Sequence, residues 1–436
     1  MKNLLTNTTS LLYSEQGMSQ VTESVSGLSW IQRTARNLLF RKVQKLQHGK
    51  LMIVDQEGQT SFGKHNKYSD LQATIYVHDP RFYGSTLLGG SIGAAESYIR
   101  GEWTCTDLTQ VVRIIALNDD QSERLESGSA SIAMSLYHLS HALRINTKKG
   151  SKKNISAHYD LSNEFFQLFL DQKMMYSSAI FENKNDSLEK ASLAKLERIC
   201  RKLDLKASDH LLEIGTGWGG MAIYAAKHYG CRVTTTTIST KQYELAVQRI
   251  KEEGLSHRIT VLCQDYRTLE GQYDKLVSIE MIEAVGHQYY NDFFKICSER
   301  LKPEGIMLLQ SITTDDQKYD KTVNEVDFIQ KYIFPGGCLP SLTEIMKATK
   351  TSTNMRLFHL EDIGNHYAET LRHWRKNFSA KISQVLQLGF SEEFIRTWNY
   401  YFCYCEGLFE ERRISTAQMV FTKPFSRRDP IVSVLP

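Results

Sequence analysis

The sequence predicts an α/β protein whose main part is a doubly wound, mostly parallel sheet, preceded by a small α+β domain. From about residue 208, short apolar runs alternate with amphipathic segments, which is the order that builds a parallel sheet covered by helices on both faces. A glycine-rich turn at 215–220 (GTGWGG) follows the first of these runs and opens a helix. The residues before 145 carry short β-like runs without this alternation, so we expect them to form a separate unit.

The elements of the main part are predicted in order by their apolar periodicity. Strands are expected at 209–214, 232–237, 259–263, 275–279 and 306–310, and helices at 220–229, 241–253 and 289–301. Aromatic residues and helical periodicity are frequent at about 315–410, which predicts a helical insertion that serves as a lid or a substrate wall. A last strand at 417–422 is expected to return to the sheet.

The N-terminal part has a different pattern. Strands are expected at 51–54 and 73–78, and a helix from Ala94. Residues 28–47 are amphipathic and rich in Arg and Lys, so this helix either lies on an anionic membrane surface or packs on its own domain. A basic cluster at 148–153 has no apolar periodicity and indicates a linker. The chain therefore divides into an N-terminal domain at 1–145, a basic linker at 146–156 and a main domain at 157–436.

Composition and charge set only wide limits on function. The net charge of +4 neither requires nor excludes a polyanionic partner. No apolar run approaches the roughly 18 residues that a membrane-spanning helix needs, and the first twenty residues have no apolar core of a secretory signal. The eight cysteines show no metal-binding spacing, so we expect reduced thiols in a cytoplasmic protein and no metal site.

The glycine-rich turn at 215–220 predicts a nucleotide-containing ligand, because glycines allow a sharp turn and a close approach of the backbone. The glycines alone do not distinguish NAD from S-adenosylmethionine. Glu213, directly before the turn, suits an amino-acid ammonium and would repel a pyrophosphate. The strand at 232–237 also ends without the acid that usually binds an NAD ribose. Asp265, after the third strand, is placed to accept from an adenine amine, so the pattern favours S-adenosylmethionine.

Five sequence blocks, in the same order along the chain, carry a resemblance to a known family. At about 85–425 the chain resembles the cyclopropane fatty acid synthases, which include the mycolic acid cyclopropane synthases. In the block at 175–179, Ser178 replaces the family's Cys and Met175 replaces its Thr. The blocks are GGSIGAAESY at 89–98, HYDLSN at 158–163, MYSSA at 175–179, EIGTGWGG at 213–220 and IFPGGCLPS at 333–341.

The resemblance implies a seven-stranded, Rossmann-like fold of the class I S-adenosylmethionine-dependent methyltransferases, and a homodimer. Together with Glu213, the residues that it places around S-adenosylmethionine are Tyr176, Ser177, Gly215, Gly217, Thr237, Ile238, Gln242 and Asp265. The bicarbonate site of the family maps onto Ser178, Glu283, Gln310, Ile312 and Tyr401.

This bicarbonate site departs from the family pattern at two positions. Ser178 stands where the family has Cys, and Gln310 stands where it has His. Both side chains still donate hydrogen bonds. The sequence therefore leaves two alternatives for the base of the reaction: Glu283 acts directly, or Glu283 holds bicarbonate in an altered site.

The activity that the resemblance implies is transfer of a methyl(ene) group from S-adenosylmethionine to the cis double bond of an unsaturated phospholipid acyl chain, with formation of a cyclopropane. The same chemistry gives a methyl-branched chain if the base takes a proton from a neighbouring chain carbon instead. A lipid-binding protein with an inactive methyltransferase fold is the third alternative. Access to lipid implies peripheral attachment at the inner face of the membrane. Aromatic residues that could line a dry pocket are Tyr319, Tyr332, Phe334, Trp374, Tyr400 and Tyr401.

Overall fold

Two β-sheets organise the chain in the computed structural model, which describes residues 27–118 and 161–431. The smaller sheet has the strand order β2-β1-β3-β4, in which β1 runs antiparallel to β2 and parallel to β3. It belongs to the N-terminal part, as the sequence predicts. Its strands are β1 (Gly49–Asp55), β2 (Gly58–Lys64), β3 (Gln72–Val77) and β4 (Trp103–Cys105).

The larger sheet has seven strands in the order β10-β11-β9-β8-β5-β6-β7. Strands β7, β6, β5, β8 and β9 are parallel, and β11 inserts antiparallel between β9 and β10. This confirms the predicted doubly wound, mostly parallel sheet. The strands are β5 (His210–Ile214), β6 (Arg232–Thr237), β7 (Ile259–Cys263), β8 (Tyr273–Ile279), β9 (Leu301–Thr314), β10 (Arg356–Asp362) and β11 (Ile414–Thr422).

Helices cover both sheets, and several begin at a serine whose hydroxyl accepts from a backbone N–H of the first turn, as at Ser187, Ser239 and Ser391. The described helices are α1 (Trp30–Val43), α2 (Arg81–Ile99), α3 (Leu108–Leu117), α4 (Asn163–Gln167), α5 (Leu188–Leu203), α6 (Gly220–Tyr229), α7 (Thr240–Glu252), α8 (Tyr290–Arg300), α9 (Tyr319–Asn324), α10 (Leu342–Ser352), α11 (Gly364–Ser379), α12 (Ile382–Gln387) and α13 (Glu392–Glu410).

Two sequence predictions about these elements are wrong. The helix expected from Ala94 begins at Arg81, because the chain stays helical through the glycine-rich stretch and only bends at Gly90, whose φ is 58°. The insertion at about 315–410 is not helical throughout, since it contains strand β10. This strand lies at the sheet edge and none of its residues is fully buried, so it has no apolar run that would identify it.

The N-terminal part packs on helix α13 of the insertion. The guanidinium of Arg396 donates to the backbone carbonyls of Tyr98 (2.6 Å) and Trp103 (3.1 Å). Arg113 of α3 forms an ion pair with Glu411 at 2.6 Å, just after α13 ends. Helix α13 is therefore held on one side by the N-terminal elements, and its Tyr401 lines the cleft at the carboxyl ends of the parallel strands.

Two predictions fall on residues that the structure does not describe. The linker at 146–156 and the basic cluster at 148–153 lie outside the described residues, so the division into domains stays a prediction. Within the described ranges, no helix is long and apolar enough to cross a membrane.

Candidate active site

A cleft of about 500 Å³ lies at the carboxyl ends of the parallel strands. It opens where the strand order reverses between β5 and β8, which is where doubly wound folds bind their ligands. The insertion supplies much of its wall through Tyr367 of α11, Tyr401 of α13 and Phe334. Ser91 of α2 also lines the cleft, so the N-terminal part contributes to the cavity.

The glycine-rich turn forms one end of the cavity and is tightly packed. Gly215, Gly217 and Gly219 have φ values of 101°, 51° and 84°, a region that other residues rarely adopt. A Cβ on Gly215 would lie 3.3 Å from the side chain of Met281, and one on Gly220 would lie 2.5 Å from Met175 Sδ. The turn therefore brings backbone to the cavity and opens helix α6 beside it.

Glu213 is buried at the end of β5 and lines the cavity. Its Oε2 accepts a hydrogen bond of 2.6 Å from Thr235, whose hydroxyl lies 2.7 Å from that of Thr216. Burial raises the pKa of Glu213 to about 8. A buried carboxylate beside a glycine turn is suited to bind a positively charged amino-acid group, because that group would return part of the lost solvation.

The other predicted cofactor residues line the same cavity. Tyr176, Ser177, Gly215, Gly217, Thr237, Ile238, Gln242 and Asp265 all contribute to it, as does Glu213.

Two of these residues are fixed by neighbours. Gln242 Oε1 accepts a hydrogen bond of 2.8 Å from the hydroxyl of Thr237. Asp265 forms a two-pronged ion pair with Arg267, at 2.8 and 2.6 Å, and also accepts from the backbone N–H of Arg267. Each Asp265 oxygen can still accept from an adenine amine, because a carboxylate oxygen takes more than one donor. With an acid at each end and a glycine turn between them, the residues fit S-adenosylmethionine.

Glu283 lies in a short 3₁₀ turn after β8 and also lines the cavity. Its Oε1 accepts from the backbone N–H of Ile312 at 2.6 Å and from the Ser311 hydroxyl at 3.1 Å. Its Oε2 is buried and has no hydrogen-bond partner among the described residues. Burial, and then the charge of Glu280, raise the pKa of Glu283 to about 8. This is a carboxyl group of fixed orientation with one oxygen available to a ligand.

The remaining residues predicted for the bicarbonate site fall into two groups. Ile312 and Tyr401 line the cavity, and the Tyr401 hydroxyl accepts from the hydroxyl of Tyr176 at 3.1 Å. Ser178 and Gln310 are fully buried, and neither is among the described residues that line the cavity. The Ser178 hydroxyl instead donates to the Ala179 carbonyl at 3.0 Å.

Glu280 is the main site residue that the sequence reasoning missed. The carboxyl group of Glu280 lies between Ser178 and Gln310. Its Oε1 accepts from the Ser178 backbone N–H at 2.9 Å and from Gln310 Nε2 at 2.8 Å. Its Oε2 accepts from the Tyr367 hydroxyl at 2.7 Å. The signal available in the sequence was an acidic residue immediately after a buried strand, three residues before Glu283.

A buried lysine was also missed. Lys195 of α5 is completely buried and donates to the Ser177 hydroxyl at 2.8 Å. Burial lowers its pKa to about 8, while Glu280, Asp171 and Glu213 oppose this effect by their charge. Lys195 is thus a cation beneath the cofactor end of the cavity, close to the buried carboxyl groups.

Of the six aromatic candidates, Phe334 and Tyr401 line the cavity. The other four are not among the described residues that line it: the Tyr332 hydroxyl donates to Glu96, for example, and the Trp374 ring centroid lies 5.2 Å from that of Tyr176. Further aromatic residues at the cavity are Tyr176, Trp218, Tyr266, Tyr367, Tyr404 and Phe409.

The strand order, the glycine turn after β5 and the acids that follow the strands define a class I S-adenosylmethionine-dependent methyltransferase. The family model described as mycolic acid cyclopropane synthetase matches residues 146–419, and the chain belongs to this family. S-adenosylmethionine is accordingly its cofactor.

Individual relatives agree with this assignment. A tuberculostearic acid methyltransferase of Mycobacterium tuberculosis is 34% identical over 375 residues, which cover 80% of this chain and 86% of that protein. The cyclopropane-fatty-acyl-phospholipid synthase of Escherichia coli is 38% identical over 359 residues, covering 80% of this chain and 88% of that protein. Among solved structures, a mycolic acid cyclopropane synthase complexed with SAH and CTAB matches with a TM-score of 0.59 and 30% identity, over 62% of this chain and 98% of that one.

Proposed function

We propose that this protein transfers the methyl group of S-adenosylmethionine to the cis double bond of an unsaturated phospholipid acyl chain and closes a cyclopropane ring. The observation that carries the proposal is one continuous cavity, which runs from the glycine turn to Oε2 of Glu283 and on to an aromatic wall. This oxygen has no hydrogen-bond partner among the residues that the structure describes. The similarity to the Escherichia coli cyclopropane-fatty-acyl-phospholipid synthase supports the substrate class.

When bound, S-adenosylmethionine supplies an electrophilic methyl group on a positively charged sulfur. The π electrons of an alkene would form a bond to this methyl carbon as its bond to sulfur breaks, so that the sulfur leaves as a neutral thioether and the positive charge passes to the acyl chain. Water would capture such a cation, so the site must be dry. The side chains of Leu371, Phe334 and Phe409 at the cavity exclude water, and aromatic faces favour a nearby positive charge.

One proton must then leave the acceptor, and we assign its removal to Glu283. Because Oε1 is held by Ile312 and Ser311, the orientation of the carboxyl group is fixed and Oε2 is left for the proton. If the proton comes from the added methyl group, its C–H electron pair closes the ring. The position of Oε2 relative to the substrate therefore selects the product.

A second candidate function keeps the cofactor and changes the product to a methyl-branched chain without ring closure. The relatives support it as well, since they include a tuberculostearic acid methyltransferase and sphingolipid C9-methyltransferases. An inactive lipid-binding protein is the least supported alternative, because the cofactor residues line one continuous cavity.

Peripheral attachment to the inner face of the membrane completes the proposal, and helix α1 is the proposed contact. Leu39 and Val43 bury one face of α1 against its own domain, while Trp30, Ile31 and Leu38 are 80%, 72% and 42% exposed. Arg41, Lys42 and Lys45 follow these residues and suit anionic head groups. The homodimer implied by the resemblance stays a prediction.

The experiment that tests the proposed function is incubation with S-adenosylmethionine and vesicles of monounsaturated phospholipid, followed by proton NMR of the extracted lipid. High-field cyclopropane protons are expected. A retained vinyl proton with a methyl branch would select the second function, and unchanged lipid together with no S-adenosylmethionine binding would select the third.

A further inference from the structure

The carboxylate of Glu280 lies in a small buried site that is formed by hydrogen-bond donors of the same chain. Three hydrogen-bond donors meet there: the Ser178 backbone N–H at 2.9 Å, Gln310 Nε2 at 2.8 Å and the Tyr367 hydroxyl at 2.7 Å. Gln310 is itself oriented, because its Oε1 accepts from Gln418 Nε2 at 2.9 Å. The amide of Gln310 therefore presents its N–H side to Glu280.

These contacts do not fit a bound bicarbonate. The Ser178 backbone N–H and Gln310 Nε2 both donate to Glu280, the Ser178 hydroxyl donates to the Ala179 carbonyl, and the Ile312 backbone N–H donates to Glu283. A bicarbonate ion would have to displace one of two buried carboxyl groups and lie close to the other. Like charges at such distances repel strongly where water is excluded, so a third acidic group is disfavoured.

We infer that Glu280 supplies the anion of this site from within the chain, so that the reaction proceeds without bicarbonate and Glu280 positions and tunes Glu283 as the base. The inference rests on the proposed function. Glu280 is a positioning residue in this account, since it acts on the reaction through Glu283. Lys195, completely buried, provides a compensating positive charge near Glu280.

The proton balance needs no further reactant. A C–H bond of the acceptor breaks, its electron pair stays on the lipid to form the last C–C bond, and the proton passes to Oε2 of Glu283. Nothing is oxidised or reduced. Glu283 then returns its proton to solvent before the next turnover.

The charge of Glu280 raises the pKa of Glu283, because an adjacent negative charge makes a carboxylate a stronger base. Removing that charge should lower the pKa of Glu283 and move the pH dependence of turnover to lower pH. The other titratable groups that act on the two carboxyl groups are Lys195 of α5, Tyr290 of α8, Tyr367 of α11 and Tyr401 of α13.

The backbone at Glu280 makes a matched pair of variants possible. Its φ is 48°, a conformation that glycine adopts without strain. Glu280→Gly therefore removes the carboxylate, keeps the turn and leaves the donors of Ser178 and Gln310 unpaired, with space for a small anion. Glu280→Gln removes the charge but keeps the side-chain volume, so it leaves no such space.

The test measures lipid methylation by the full-length protein in buffers stripped of carbon dioxide, with and without added bicarbonate. For the unaltered protein we expect added bicarbonate to change the rate of lipid methylation by less than about twofold. We expect the rate of lipid methylation by Glu280→Gly to fall by at least about tenfold in stripped buffer, and to recover when bicarbonate is added. We expect Glu280→Gln to show no such rescue and a turnover profile shifted to lower pH.

Dependence of the unaltered protein on added bicarbonate would overturn the inference, and this measurement needs no variant. Full activity of Glu280→Gly in stripped buffer would overturn it too, as would an unshifted pH profile of Glu280→Gln. Melting temperature and S-adenosylmethionine binding identify variants that do not fold. Absence of lipid methylation by the unaltered protein at every bicarbonate concentration would instead refute the proposed function.

Discussion

The backbone N–H of Ile312 donates a hydrogen bond of 2.6 Å to Oε1 of Glu283. The two residues come from different elements, since Ile312 is near the end of β9 and Glu283 follows β8. Parallel pairing of β8 with β9 brings them together. The contact fixes one oxygen of Glu283 and leaves the other buried, with no partner in the described part of the chain.

Glu283→Gln should abolish turnover and spare cofactor binding. The amide cannot accept the proton, so kcat should fall by about 10² to 10⁴, the usual contribution of a general base. Binding of S-adenosylmethionine, measured by calorimetry, should stay close to that of the unaltered protein, since Glu283 is not among its proposed ligands. A variant with undiminished kcat would remove Glu283 from the mechanism.

The rate of lipid methylation should rise with pH through about 8. Burial and the neighbouring charge of Glu280 raise the pKa of Glu283 to about 8, so the fraction of ionised base grows as pH rises through that value. The measurement is kcat at saturating substrate from about pH 6 to about pH 9, a range that extends to both sides of this pKa. A rate that falls over the same range would show that the protonated form of Glu283 is the active one.

Gly215→Ala should weaken S-adenosylmethionine binding by at least about tenfold. The new Cβ would lie 3.3 Å from Met281 and would hold a φ of 101° that alanine disfavours, so the turn must move. Gly254→Ala is the matched control: its φ is 69°, and the added Cβ meets no described atom within 4 Å. The control should lose some stability and keep its affinity; equal affinities of both variants would contradict the assignment of the turn.

The exposed apolar residues of α1 should be required for tight binding of the protein to vesicles. The double variant Trp30→Glu/Ile31→Glu should bind vesicles that contain an anionic phospholipid at least about tenfold more weakly, because it loses apolar contact and adds negative charge. Phe425→Glu is the control, since Phe425 is 66% exposed outside α1. Co-sedimentation measures binding. Equal loss in both variants, or no loss in either, would argue against α1 as the membrane contact.

The larger sheet could be predicted because its central strands are short apolar runs between clear turns. Strands β6 and β7 match their predicted ranges, whereas β9 extends beyond its apolar run to Leu301–Thr314. Strand β10 could not be found in this way, since it lies at the edge and its side chains are largely exposed or only partly buried. Its place in the sheet is set by pairing with β11, which is distant along the chain.

That Glu213 and Gly215 line one cavity could be predicted for a similar reason, since both belong to one short motif at 213–220. The role of Glu280 could not, because its partners Gln310 and Tyr367 are 30 and 87 residues away. No local sequence pattern predicts that Glu280, Gln310 and Tyr367 come into contact. The residues at 178 and 310 indicated only that the anion site differs from the family pattern, and the structure shows that both donate to the carboxylate of Glu280.

The most direct test of the account uses S-adenosylmethionine carrying a ¹³C-labelled methyl group and vesicles of a monounsaturated phospholipid. We predict that the label appears in the extracted lipid as a ring CH₂ carbon bonded to both former alkene carbons. Label found on oxygen or nitrogen of the head group, with the double bond intact, would contradict the account.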